Sequence, residues 1–137
     1  AAMTPLIDAS VKIIKATAKA VKKRRGEPLV LVVIQTDGYE NVSRKYTAAD
    51  LAALVKEKTA AGWQFVFLGA GLDAFEAARS AGVRIDRKKT VQYDRGYSRA
   101  VFRETAENSV EFLKSRKRDS LNYSPGQRAK VRDKRAT

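Results

Sequence analysis

The chain has 137 residues and a formal net charge of +13, from 28 Lys and Arg against 15 Asp and Glu. It contains no cysteine and no histidine, which excludes disulfides, thiolate metal ligation and the commonest general base. Chemistry here would have to rest on carboxylates, hydroxyls, amides or an oxygen-ligated cation. No apolar run approaches the roughly 20 residues of a membrane span, so the expected setting is cytoplasmic, away from membranes.

Residues 5–25 carry a helical period. Ile7, Val11, Ile14, Ala18 and Val21 recur at steps of four and three, and Lys12, Lys15, Lys19 and Lys22 form an adjoining basic stripe. Thr4 stands where an N-cap belongs and Pro5 at the first helical position: the hydroxyl accepts an orphan amide, and proline has none to satisfy. Gly26 ends the helix. Residues 29–35, LVLVVIQ, form the nearly unbroken aliphatic run of a parallel strand covered on both faces, and Thr36-Asp37-Gly38 follows it. Thr47-Ala48-Ala49-Asp50 opens the next helix with a capping-box pattern, and that helix runs to about Ala61 and stops at Gly62.

Trp63 to Leu68 reads as a second buried strand. Gly69-Ala70-Gly71 turns the chain into a short helix over about Asp73–Ala81, closed by Gly82, and Lys89 to Tyr93 forms a third, shorter strand. Asp94 to Tyr97 is the turn after it. Ser98 is expected to cap a last helix over about 99–116, with the pairs Val101/Phe102, Thr105/Ala106, Ser109/Val110 and Phe112/Leu113 as its apolar face. From Lys114 to Thr137 nine basic residues stand against two acidic ones and little is apolar. The expected division is therefore a folded body, residues 1–113, and a flexible basic tail, residues 114–137.

This order of elements implies an open α/β fold with a mainly parallel sheet of about three strands, in which ligands collect beyond the carboxyl ends of the strands. Asp37, Gly69 to Gly71 and Asp94 fall on that rim. Two concentrations of cations suit a polyanion such as nucleic acid: Lys12, Lys15, Lys19, Lys22, Lys23, Arg24 and Arg25 on the first helix, and the tail with Arg116, Lys117 and Arg118. Only Tyr123 is interleaved with the tail's cations, so such binding would be led by phosphate rather than by base stacking. The plainer reading of both is a solvated helix face and a solvated tail. Gly69-Ala70-Gly71-Leu72-Asp73-Ala74 also matches G-x-G-x-x-A, with Asp94 in place for a ribose, but Asp73 would sit against a pyrophosphate and tight strand-to-helix turning explains the glycines. There is no Walker lysine and no nucleophile elbow; Glu40, close behind Asp37, gives the one paired carboxylate. The expectation is a non-enzymatic interaction module.

Three stretches together resemble von Willebrand factor A domains, nearest to the small intracellular forms of bacteria and their phages. They are Thr4-Pro5-Leu6-x-Asp8-Ala9 opening a helix, the strand ending Thr36-Asp37-Gly38-x-Glu40-Asn41, and Trp63-x-Phe65-x-Phe67-Leu68-Gly69-Ala70. The likeness covers about residues 4–113. It implies a Rossmann-like topology and a metal-ion-dependent adhesion site holding Mg²⁺, with Thr4 and Asp37 as ligands and a protein partner's carboxylate completing the shell. The family's Asp-x-Ser-x-Ser loop has no counterpart, because Asp8-Ala9-Ser10-Val11-Lys12 lies inside the predicted helix and ends in lysine. The resemblance is thus to the later part of the fold, lacking its N-terminal strands, and the metal site would be incomplete. Without the missing neighbour, strand 29–35 would be an apolar edge, which implies a homodimer or a complementing chain paired there.

Overall fold

The computed structural model describes residues 6–26, 28–36, 45–70, 79, 82 and 85–133. Its α/β architecture agrees with the order of elements expected from the sequence. Helix α1, Leu6–Lys22, precedes strand β1, Leu31–Thr36, and helix α2, Ala48–Ala60, leads to strand β2, Gln64–Ala70. Strand β3, Thr90–Tyr93, is followed by helix α3, Ser98–Ser115, and by a short helix α4, Pro125–Lys130. The sheet has three strands in the order β1-β2-β3, and both pairings are parallel. Leu31 lies beside Gln64 and Thr36 beside Gly69, so β1 and β2 begin together and β2 runs one residue further, to Ala70.

The two sheet faces carry separate cores. Val32 and Ile34 of β1 and Phe65 and Phe67 of β2 point to one face, where Val11 and Ile14 of α1 and Leu51 and Val55 of α2 cover them. Val66, Leu68, Val91 and Tyr93 point to the other, beneath Val101 and Phe112 of α3. Every residue of β2 is buried, which explains why its sequence runs apolar without alternation. Each fully buried aliphatic or aromatic side chain contributes about 1.5–3 kcal/mol, so these two layers supply most of the drive to fold.

Local signals explain the elements. Thr47 accepts from the Asp50 amide and Asp50 accepts from the Thr47 amide, the reciprocal capping box expected at α2. Gly26 and Gly62, which follow α1 and α2, have φ of 87° and 98°, a conformation that a Cβ disfavours. Asp8 accepts from the Lys45 and Tyr46 amides at 3.2 and 2.8 Å, tying the start of α1 to the start of α2. Thr4 and Pro5, Asp37 and Gly38, Gly71 and, apart from Arg79, the helix expected over Asp73–Ala81 lie outside the described residues.

Three expectations are corrected. Ser98 is the first helical residue of α3 rather than its cap; Tyr97 holds the cap position and makes no side-chain capping bond. The buried face of α3 is Val101, Glu104, Thr105 and Phe112, while Phe102, Val110 and Leu113 are exposed. Glu104 can be buried because Lys130 Nζ lies 3.4 Å from it and Gln127 donates to it at 3.1 Å.

The third correction is the largest: within 114–137, the described residues up to Asp133 are folded onto the body instead of forming a flexible tail. Leu121, Tyr123 and Val131 are buried in the core beneath α3. Ser124 and Gln127 form a capping box at α4, with Pro125 inside its first turn. Three fastenings run down the outer edge of β3: the Asp94 amide donates to the Val131 carbonyl, the Gln92 amide to the Asp133 carboxylate, and Arg128 Nη1 to the Thr90 carbonyl. These groups satisfy the strand's outward polar atoms and close that edge to other chains. Leu121→Ala should therefore cost about 2–5 kcal/mol in urea unfolding of the full chain, a value typical of a buried leucine. A change near zero would show the segment to be a passenger.

Candidate polyanion-binding surface

Topology brings the basic residues to one end of the sheet. Because Asp8 ties the start of α1 to the start of α2, and α2 follows the carboxyl end of β1, both helices run back toward the amino ends of the strands. Lys22, Lys23, Arg24 and Arg25 therefore come down beside the entry to β1, all exposed. The 3-10 turn Arg87–Lys89 lies directly before β3, at the same end. Helix α3 leaves the carboxyl end of β3 and crosses back over the sheet; the Tyr123 amide then donates to the Lys88 carbonyl at 2.8 Å, fixing the chain after α3 at the amino end. Exposed Arg116, Lys117 and Arg118 sit between that helix and that bond.

The two cation groups expected from sequence thus share an end, although α1 and α3 cover opposite faces of the sheet. Lys12, Lys15 and Lys19 run up α1 away from it. Lys15 is engaged, with its Nζ 4.8 Å from the Tyr46 ring centroid and 3.4 Å from the Tyr46 hydroxyl. Sequence reasoning missed Arg87, Lys88 and Arg128. With Tyr123 they line a hollow of about 240 Å³ at the basic end. Three cations in a row ahead of a strand were the available signal for the first two. Arg128 was hidden, because only the fold shows that its guanidinium spans the Arg87 carbonyl, the Thr90 carbonyl and the Asp133 carboxylate, each at 2.7 Å.

Two acidic residues near this end are committed to local structure. Burial works to raise the Asp86 pKa, but bonds from Lys89 Nζ and the Lys88 amide, together with both lysine charges, outweigh it and leave the carboxyl below its ordinary value. Asp133 is buried against Arg128. Among the described residues no group of three or more acidic side chains is placed to hold a metal ion, and no helix is long and apolar enough to cross a membrane. Thr4 and Asp37, the expected Mg²⁺ ligands, lie outside those residues. Asp8 is spent on the amides before α2, which accounts for its place in α1 without a metal.

No family model, curated protein or solved structure matches this chain. The likeness to von Willebrand factor A domains accordingly rests on the sequence motifs.

Tyr123 bonds the Thr105 hydroxyl inside the core. Burial pushes its phenol up to about 12, against the opposing effects of the Thr105 bond and the Arg128 charge. A folded-state pKa above the unfolded one contributes stability that is whole below the unfolded value of 10.0 and is lost as pH rises toward about 12. Chemical denaturation of wild type and Tyr123→Phe should show wild type ahead by about 1 kcal/mol at neutral pH, the net worth of one hydrogen bond, with the gap closing across that alkaline window.

Proposed function

We propose that this chain is a non-catalytic binding module that takes a phosphate-bearing polyanion, foremost nucleic acid, at the amino end of its sheet. One observation carries the reading: Lys22 to Arg25, Arg87 and Lys88, and Arg116 to Arg118, far apart in sequence, converge on that end. Such a surface draws a polyanion by releasing condensed counterions and needs no base contacts.

Anisotropy of a labelled generic duplex is the direct test. Affinity should fall steeply between about 50 and about 200 mM salt, with a logarithmic slope of about 0.9 per phosphate contacted. Replacing Lys23, Arg24 and Arg25 by Gln should weaken binding and flatten the slope, and Lys117→Gln with Arg118→Gln should do the same. Replacing Lys12 and Lys19 should do less. Flat salt dependence, or a dominant effect of Lys12 and Lys19, would sink the proposal.

A second reading is favoured by the register. Strands β1 and β2 stop within one residue of each other, at Thr36 and Ala70, and the chain continues from that rim into Asp37. Here an adhesion-type site of the kind the motifs resemble would use Thr4 and Asp37 to hold Mg²⁺ for a protein partner's carboxylate. On this reading Mg²⁺ raises the melting temperature of wild type and leaves Asp37→Ala unmoved; equal behaviour of the two proteins removes it.

A further inference from the structure

The two edges of the sheet are finished differently. The edge at β3 is closed by Val131, Arg128 and Asp133. On β1 the Gln64 amide donates to the Val30 carbonyl, and the alternation of a parallel ladder then turns Val32 and Ile34 inward to β2 and leaves the amides and carbonyls of Leu31, Val33 and Gln35 facing outward. Among the described residues no strand pairs with that edge, and its sequence, LVVIQT, has no charge and no proline to discourage pairing.

Four of the five exposed large apolar side chains among the described residues lie on the side of this edge. Val33, at its centre, is 43% exposed. On α3, Gln127 holds Glu104 and Asn108 from the β3 side. At roughly 100° per residue, Phe102 and Leu113 lie roughly 140–160° round the helix from that pair, on the flank opposite the β3 side, while Val110 points away from the sheet. On the other face α1 covers β1 and α2 covers β2. The flank of α1 toward α2 carries Asp8 and Lys15, and Ile13 lies roughly 150° away, toward the open edge. These five residues are all the exposed large apolar side chains among the described residues. An apolar surface flanking an unpaired strand on both faces is the cross-section of an interrupted α/β/α sandwich.

We infer that a second copy of this chain completes it, β1 pairing antiparallel with β1 across a two-fold axis through Val33. The outward groups allow this register: Val33 faces Val33 of the partner subunit, and Leu31 faces the partner's Gln35. The patch is self-complementary, as a two-fold interface requires. The antiparallel arrangement also carries the two basic ends to opposite ends of the assembly, so the net charge of +13 does not oppose pairing at the junction.

Sedimentation equilibrium at tens of micromolar tests this on the full chain. Wild type should give twice the 15.2 kDa chain mass, and Val33→Lys, which sets like charges against each other at the axis, should give a folded monomer by circular dichroism. Because the chain has no cysteine, Val33→Cys supplies a unique thiol, and a short bis-maleimide should join it efficiently into a dimer while Lys19→Cys stays single. A monomeric wild type, a Val33→Lys protein that remains dimeric, or equal cross-linking at the two positions would overturn the inference. The first of these would leave the edge to a different polypeptide.

Discussion

The guanidinium of Arg128 holds the far side of the molecule together. It reaches the Arg87 and Thr90 carbonyls and the Asp133 carboxylate, while Asp133 also accepts the outward Gln92 amide. A buried ion pair alone is weak evidence of stability, since desolvating two charges costs several kcal/mol. Here the desolvation is offset because both partners hold backbone groups that a bare strand edge would leave unsatisfied. Removing either member would strand a charge and open β3 together, so the pair acts as a fastening rather than an added contact.

That fastening makes the sheet one-sided. A short strand such as β3, Thr90–Tyr93, contributes little edge of its own, and the chain after α3 encloses what remains. The longer strand β1 has no comparable cover among the described residues: Val32 and Ile34 are packed on one face, but Val33 and Gln35 are exposed on the other, so the expected cover on both faces is not complete. Covering one edge from the C-terminal side leaves the fold able to grow only at the other.

Much of this organisation was readable in the residues. The stripe Ile7, Val11, Ile14, Ala18 and Val21 packs as its spacing required, and β2 is buried throughout as an unalternating apolar run should be. The C-terminal segment was misread because composition averages over a window, whereas burial is decided residue by residue: Leu121, Tyr123 and Val131 are few, but each is buried. A local signal was present in Ser124-Pro125-Gly126-Gln127, a capping box with proline in the first helical turn. Helix α3 ends with Arg116 at φ 59°, where no glycine announces a stop. Its buried face was ambiguous for a related reason: Val101/Phe102 and Phe112/Leu113 offer two apolar stripes, and the choice between them depends on Lys130 and Gln127, which neutralise and bond Glu104. Of the basic surface, the sequence showed the cations but not their convergence, which depends on helix direction.

The same helix directions explain why the amino end stays positive in a chain that carries 15 acidic residues. Among the described residues, Asp8 and Asp50 serve amides at the start of α2, Glu104 and Asp133 are buried against the C-terminal segment, and Asp86 caps the turn before β3. Carboxylates are drawn to orphan amides at helix starts, and Asp8 and Asp50 serve the start of α2 at the carboxyl end of the sheet, although the first turn of α3 carries no acid. Lysine and arginine are favoured at the opposite termini, which a parallel sheet with returning helices gathers at the other end. Capping preference and topology together concentrate cations at the amino end, where Asp86 and Asp119 also lie. The cost is mutual repulsion among exposed cations, modest at physiological salt because the screening length is about 8 Å. A bound polyanion would reverse the sign of that term, turning a small penalty in the free chain into part of the affinity.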